Sequence, residues 1–138
     1  MKFSDFPLKS YDKIRYSDTD RQGHVNNANF STFLETGRTE LLYLYEGHPL
    51  HDKDGSFVIA KQELELISEI KWPGTVEIGT LISKVGNSSI GFYQNLYQGD
   101  ALVANAKSVI VHVDVNTKMS KPLTEETKEI LMKFTLKK

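Results

Sequence analysis

One stretch of the chain has a clear helical period, whereas the segments around it alternate like strands. Its apolar residues recur at spacings of three and four and form a single stripe: Phe30, Phe33, Leu34, Leu41, Leu42 and Tyr45. Asn26 or Asn27 can cap the start and Gly47 can end it, which predicts a helix of about twenty residues and roughly 30 Å. Such a stripe must be buried against another layer, so the rest of the chain has to supply a sheet.

Strand-like segments occupy most of the remaining sequence. The predicted strands are residues 9–16, 57–70, 76–83, 90–97 and 102–115. A weaker amphipathic helix is predicted over 124–137, and its buried residues are Ile130, Leu131 and Phe134. This order predicts an α+β fold in which an antiparallel sheet wraps around one long central helix. Gly37 inside that helix costs about 1 kcal/mol relative to alanine, so we expect another backbone to cross closely there.

The composition excludes several classes of protein. The chain has 138 residues, a formal net charge of -1 and no cysteine. We expect a single domain over residues 1–138, and the charge gives no reason to bind nucleic acid. Without cysteine there are no disulfides, thiolate zinc sites or cysteine nucleophiles. Residues 1–7 lack the apolar core of a signal peptide, and no apolar run can cross a bilayer. We therefore expect a cytoplasmic protein with no stable membrane insertion.

A short polar segment precedes the helix and contains Asp18, Asp20, His24, Asn26 and Asn27. The first N–H groups of a helix have no internal partner and together carry about half a positive charge. A carbonyl placed against them is polarised, and a nearby aspartate stays ionised, so that it can attack the carbonyl or activate water. Thioesters suit this apparatus, because their carbonyl is weakly stabilised by resonance and a thiolate leaves readily.

Simpler interpretations compete with this one. Both aspartates also fit loop and cap residues that bond to local backbone, and histidines such as His24 often serve only as hydrogen-bonding groups. Asn26 and Asn27 fit helix caps as well as substrate contacts. A metal site is disfavoured, because no second cluster supplies further ligands at suitable spacing. We expect no metal and no cofactor.

Residues 16–30 (YSDTDRQGHVNNANF) resemble the signature of hotdog-fold thioesterases, closest to the 4-hydroxybenzoyl-CoA thioesterase-like acyl-CoA thioesterases. Residues 109–115 resemble the last strand of that family. The resemblance implies the hotdog fold, a sheet wrapped around one long helix, which agrees with the order of elements above. By position, it implies that Asp20 is the catalytic carboxylate and that the backbone N–H of Asn27 polarises the carbonyl. Gly23 is the glycine of the family's loop, and Asp18 is structural.

The resemblance also has consequences for the other residues of the segment. Where the family's archetype has apolar residues, this chain has His24 and Asn26, which resembles the branch that acts on aliphatic acyl-CoA or acyl-carrier-protein thioesters. We assign His24 to the catalytic group with Asp20 and Asn27. Substrate binding is assigned to Gly23, Val25 and Asn26. Glu35 and Arg38 on the helix fit an ion pair, with Glu35 as the alternative catalytic acid.

Three functions remain open from the sequence. The first is hydrolysis of acyl-CoA or acyl-carrier-protein thioesters to free acid and thiol. The second is a hotdog module that binds an acyl thioester without catalysis. The third is a hotdog hydratase or dehydratase, although those sites usually pair a histidine with an acid and only His24 is near. The two edges of the predicted sheet invite pairing with another copy, so we expect a homodimer or homotetramer.

Overall fold

The computed structural model describes residues 1–20 and 23–136. These residues form one five-stranded sheet and two α-helices. The strands are β1 (Leu8–Lys13), β2 (Gly55–Leu66), β3 (Thr75–Val85), β4 (Ser89–Gln98) and β5 (Ala101–Asp114). The helices are α1 (Asn27–Leu44) and α2 (Glu125–Met132). All neighbouring strands are antiparallel in the order β1-β3-β4-β5-β2. The predicted α+β fold, with an antiparallel sheet around one long helix, is confirmed.

The predicted ends of several elements were wrong. The first strand stops at Lys13, because Tyr16–Asp18 form a short 3₁₀ turn. The long helix ends at Leu44, and Gly47 follows with the left-handed φ of +82° expected of the predicted glycine stop. There the chain folds back, and the N–H of Leu50 donates to the carbonyl of Leu42 at 2.8 Å.

The terminal helix is also shorter than predicted, because it begins after its N-cap Thr124 and ends at Met132. Leu131 is buried as expected, whereas Ile130 and Phe134 are only partly buried. Lys137, at the end of the predicted helix, lies outside the described residues, as do Arg21 and Gln22 of the polar segment.

The buried side of α1 consists mostly of the predicted stripe, in which Phe30, Phe33, Leu34, Leu41 and Leu42 are all buried. Small or medium side chains on the inner face of β5 face this layer: Ala104, Ala106, Ser108 and Ile110. The valines at 109, 111 and 113 occupy the other face of the sheet and are only partly buried. The helix packs mainly on β1, β3 and β4.

Gly37 marks the closest approach of α1 to the sheet. A Cβ added there would lie 2.7 Å from Thr80 Oγ1, 2.8 Å from Gln94 Nε2 and 2.8 Å from Ile78 Cγ2. The atoms that cross are therefore side chains of β3 and β4, and the expectation of a crossing backbone was wrong. Gln94 cannot move away easily, because its Nε2 donates to Leu34 O at 2.9 Å and to Thr80 Oγ1 at 3.1 Å.

Replacing Gly37 by alanine is expected to destabilise the protein by up to about 2 kcal/mol. Alanine improves helix propensity by about 1 kcal/mol, but overpacking a buried contact costs about 1–3 kcal/mol. Urea unfolding measures the difference. Thr32→Ala, on the exposed side of the same helix, is the control and should be neutral or slightly stabilising. A Gly37→Ala protein more stable than the wild type would contradict this explanation.

Candidate active site

Asp18 holds the loop that precedes α1. The carboxylate is buried, and its Oδ2 accepts a hydrogen bond from the N–H of Arg15 at 2.8 Å. The main-chain carbonyl of Asp18 accepts from the N–H of Asn26 at 2.8 Å and from Asn29 Nδ2 at 3.0 Å. These bonds tie the start of the loop to the start of the helix. They agree with the structural role that the resemblance implied for Asp18.

Asp20 is fixed by a tight turn to His24. Its N–H donates to the carbonyl of His24 at 2.8 Å, and its Oδ1 accepts from the N–H of His24 at 3.4 Å. Gly23 donates its N–H to the carbonyl of Asp20 at 3.3 Å and has φ +77°. That left-handed conformation is readily adopted by glycine alone, so Gly23 makes the turn possible. The geometry leaves the Asp20 side chain exposed on one side of the turn.

His24 and Val25 attach the loop to the segment after β2. Val25 is buried in the main core, and its N–H donates to the carbonyl of Ile70 at 2.8 Å. The side chain of His24 lies beside Glu69, with 3.2 Å between Nε2 and Oε2. This bond requires the imidazole proton on Nε2. The His24 ring is therefore directed to Glu69, while its backbone holds Asp20.

The start of α1 has one capped and one uncapped N–H. Asn26 is the N-cap: its φ of -60° and ψ of 137° are extended, and its side chain accepts from the N–H of Ala28 at 3.1 Å. Among residues 1–20 and 23–136, no group accepts the N–H of Asn27. The cap thus provides an acceptor for the N–H of Ala28, the second residue of the helix. It provides none for the N–H of Asn27, which lies at the positive end of the helix dipole.

Most of the predicted site residues line one cleft of about 340 Å³ between the start of α1 and the end of β2. Its walls are Asp20, His24, Val25, Asn27, Phe30, Leu66, Ile67, Ser68 and Glu69. Gly23 and Asn26 do not line this cleft; Gly23 shapes the turn and Asn26 caps the helix. A larger hollow of about 610 Å³ beside residues 1–4 contains none of the predicted residues.

The second wall of the cleft was missed by the sequence analysis. Residues 66–69 were placed inside a strand predicted over 57–70, with no link to the polar segment. They reach the loop because the His24 backbone pairs with Lys71 and Val25 bonds to Ile70, which are long-range contacts. No local signal marked Ser68 and Glu69, because the strand predicted over 57–70 contains other polar residues.

The expected ion pair between Glu35 and Arg38 does not form within 4.0 Å among the described residues. Glu35 is exposed, whereas Arg38 is buried with 6% of its surface accessible. Arg38 Nη1 instead donates to Gln62 Oε1 at 3.4 Å and to Gln94 Oε1 at 3.3 Å. Burial lowers the pKa of the Arg38 guanidinium below its usual value, and the charge of Glu35 partly opposes this.

In the described part of the chain, no group of three or more histidine, aspartate or glutamate side chains is arranged to hold a metal ion. None of its helices combines the length and the apolar character that a membrane crossing requires.

Known proteins resemble this chain in sequence and in fold. Acyl-CoA thioester hydrolase YbgC of Escherichia coli O6:H1 is 29% identical over 101 residues, which cover 72% of this chain and 75% of that protein. A thioesterase from Thermus thermophilus, solved with coenzyme A and Zn, is 26% identical, has a TM-score of 0.74 and is matched over 91% of this chain and 98% of that one. The PA5185 protein of Pseudomonas aeruginosa has the same fold, with a TM-score of 0.87 at 19% identity, covering 98% and 96% of the two chains.

A family model extends the likeness to nearly the whole sequence. The model of the thioesterase-like superfamily matches residues 14–131, which include the polar segment, α1 and all the strands except β1. Together with the fold, this match means that the chain belongs to the thioesterase-like superfamily.

Proposed function

We propose that this chain hydrolyses acyl-CoA thioesters to a free carboxylic acid and coenzyme A, with Asp20 and the N–H of Asn27 as the reacting groups. One observation carries the proposal: Asp20 lines the same cleft as Asn27, the first residue of α1, whose N–H has no acceptor among residues 1–20 and 23–136. The names of the relatives point the same way, since the Escherichia coli protein is an acyl-CoA thioester hydrolase and the Thermus thermophilus thioesterase was solved with coenzyme A.

In the proposed reaction the thioester carbonyl oxygen accepts a hydrogen bond from the N–H of Asn27. Negative charge grows on that oxygen as the carbonyl carbon becomes tetrahedral, and the positive end of α1 stabilises it. The carbon–sulfur bond then breaks with its electron pair on sulfur, and the thiolate takes a proton from solvent. A thiolate is a good leaving group, so this step needs no strong general acid.

Asp20 supplies the other half of the reaction in one of two ways. As a nucleophile, its carboxylate attacks the carbonyl carbon, expels the thiolate and forms a mixed anhydride that water cleaves. As a general base, it takes a proton from the water molecule that attacks directly. A single turnover in ¹⁸O-labelled water tests the nucleophile, because label enters the Asp20 carboxylate only if the anhydride forms and water cleaves it at the Asp20 carbonyl.

The remaining predicted residues receive supporting roles. His24 positions Asp20 through its backbone, and its ring is held by Glu69. Asn26 caps the helix and Gly23 allows the turn. Val25, Phe30, Leu66 and Ile67 are the apolar part of the cleft wall, and we assign them to the acyl group. These apolar walls suit an aliphatic acyl group, delivered by coenzyme A or by an acyl carrier protein.

The test of this function is thiol release from a panel of short, long and aromatic acyl-CoA thioesters and the matching acyl-carrier-protein thioesters. We expect enzyme-dependent release from aliphatic acyl-CoA. Binding of these thioesters without thiol release would instead favour a non-catalytic module. Hydration of an enoyl-CoA without thiol release would favour a hydratase.

We also propose that two copies pair through β2. This strand is at one end of the sheet order, and it exposes the apolar side chains Val58 and Ile59, which are 46% and 50% accessible. An edge of this length with apolar side chains is a ready surface for a second strand. Light scattering should give the mass of a dimer or tetramer. Lysine at both positions should lower that mass, and a wild-type monomer at micromolar concentration would refute the pairing.

A further inference from the structure

Two separate hollows lie along the boundary between α1 and β2, which we call the groove. The two elements run in opposite directions: Phe30 near the start of α1 lines the cleft together with Leu66 at the end of β2. Further along, Ser31 of α1 meets Gln62 of β2. Beyond them, Arg38 and Ile59 line a second hollow of about 230 Å³. The groove thus has two compartments, with Ser31 and Gln62 between them.

A hydrogen bond crosses the groove at this point. Gln62 Nε2 donates to Ser31 Oγ at 2.9 Å and so joins the edge strand to the helix. We call this contact the Ser31–Gln62 bridge. Arg38 fixes the orientation of the Gln62 amide, because Arg38 Nη1 donates to Gln62 Oε1 at 3.4 Å. A guanidinium has only donors, so it faces the amide oxygen and leaves the amide nitrogen to Ser31.

Arg38 is itself held in place. Its Nη1 also donates to Gln94 Oε1 at 3.3 Å, and Gln94 is fully buried and bonded to α1 and β3. The bridge is therefore the outer end of a connected polar network that is anchored in the core, not a pair of loose surface side chains. Such a network resists displacement, because breaking it leaves buried donors and acceptors unpaired.

We propose that the Ser31–Gln62 bridge is the end wall of the acyl pocket and limits this chain to short aliphatic acyl groups. The inference rests on the proposed function, in which the thioester carbonyl lies at the N–H of Asn27. Ser31 is four residues beyond Asn27, so the wall stands about 6 Å along the helix. At about 1.2 Å per bond of an extended chain, roughly five bonds fit, which corresponds to acyl groups of about six carbons or fewer.

The second compartment explains why removing the wall should lengthen the pocket. Its lining combines the apolar side chains of Leu42, Phe57, Ile59 and Ile110 with the polar side chains of Glu35, Arg38 and Thr39. An alkyl chain that passes the position of Gln62 would leave water for this lining, and the burial of each methylene group would favour its binding. Truncation of Gln62 to alanine therefore joins two existing hollows and does not need to create a new one.

The experiment measures kcat/KM for butanoyl-, hexanoyl-, octanoyl-, decanoyl- and dodecanoyl-CoA, and the Kd of the corresponding S-alkyl-CoA thioethers, which cannot be hydrolysed. For the wild type we expect decanoyl-CoA to be hydrolysed at least about tenfold less efficiently than butanoyl-CoA. Gln62→Ala should raise the decanoyl-to-butanoyl ratio at least about tenfold, in both kcat/KM and thioether affinity. The melting temperature of each variant shows whether it is folded.

Two further variants separate the bridge from other effects at this position. Gln62→Glu keeps an oxygen acceptor for both Arg38 and the Ser31 hydroxyl, so it should retain the wild-type chain-length ratio. Ser31→Ala removes the bridge from the helix side with a good helix former, and it should shift the ratio in the same direction as Gln62→Ala but less. It also provides the test if Gln62→Ala does not fold.

The outcomes distinguish this inference from the proposed hydrolysis. Hydrolysis without chain-length discrimination, or an unchanged ratio in both bridge variants, would overturn the wall and leave the hydrolase intact. Length-selective thioether binding that the bridge variants relax, without any hydrolysis, would support the wall and refute the hydrolase. A protein that binds none of the thioethers would overturn both.

Discussion

Asp20→Asn is expected to lower kcat by at least about 10²-fold for the best acyl-CoA substrate, the scale of a lost general base or nucleophile. Asparagine has nearly the same shape, and its side-chain oxygen can still accept the N–H of His24, so the turn should persist. The change removes the carboxylate that attacks the carbonyl carbon or takes a proton from water. Steady-state thiol release gives kcat, and thermal unfolding shows that the fold is retained.

Asp18→Asn is the matched control for this prediction. Asp18 is the other aspartate of the same loop, but its carboxylate is buried against the N–H of Arg15. We expect that variant to lose more stability than activity. If Asp20→Asn keeps activity within about tenfold of the wild type while the melting temperature is unchanged, Asp20 is not the reacting carboxylate. Glu35 on α1 would then be the next residue to replace.

Asn27→Pro is expected to lower kcat by about 10²–10³-fold, the loss typical of one donor to an oxyanion. Proline has no N–H, so the substitution deletes the proposed donor itself. It suits this position, because Asn27 is the first residue of α1, where proline is favoured. The preceding residue, Asn26, already has the extended conformation that proline requires of its neighbour, with φ -60° and ψ 137°. The helix should therefore form normally.

Asn27→Ala supplies the comparison, because it removes the side chain and keeps the N–H. We expect its kcat to stay within a few fold of the wild type, while its circular dichroism and melting temperature match those of Asn27→Pro. Equal losses in the two variants would assign the effect to the asparagine side chain. Full activity in the proline variant would remove the helix terminus from the mechanism.

The order of the elements and the cap of the helix could be read from the sequence, because both depend on local patterns. The stripe from Phe30 to Leu42 is periodic, and Asn26 caps the helix as its side-chain chemistry allows. The same holds for the alternation along β3 to β5. The stop after α1 could be read in the same way, because Gly47 has the left-handed φ of +82° that a glycine adopts beyond a helix end.

Only one wall of the cleft could be predicted from the sequence. The polar segment from Asp20 to Asn27 is contiguous, so its residues were found together. The opposite wall, from Leu66 to Glu69, depends on where β2 leaves the sheet and on its pairing with the loop at Val25 and Ile70. No local pattern encodes that pairing. The partners of Arg38 were missed for a related reason. Its spacing from Leu34 and Leu41 places it on the buried stripe, but Gln62 and Gln94 come from β2 and β4, which no local pattern brings to it.

The contact of Gln94 with Leu34 has a consequence for the geometry of catalysis. Apolar side chains packed against a sheet tolerate small sliding along the helix axis, because dispersion and burial are not directional. A buried amide that donates to one particular helix carbonyl at 2.9 Å does not tolerate it. The central strand β4 therefore sets how far α1 extends toward β2 and Asp20. In the proposed reaction, the position of the Asn27 N–H relative to the thioester carbonyl would therefore depend on Gln94, in the middle of the protein.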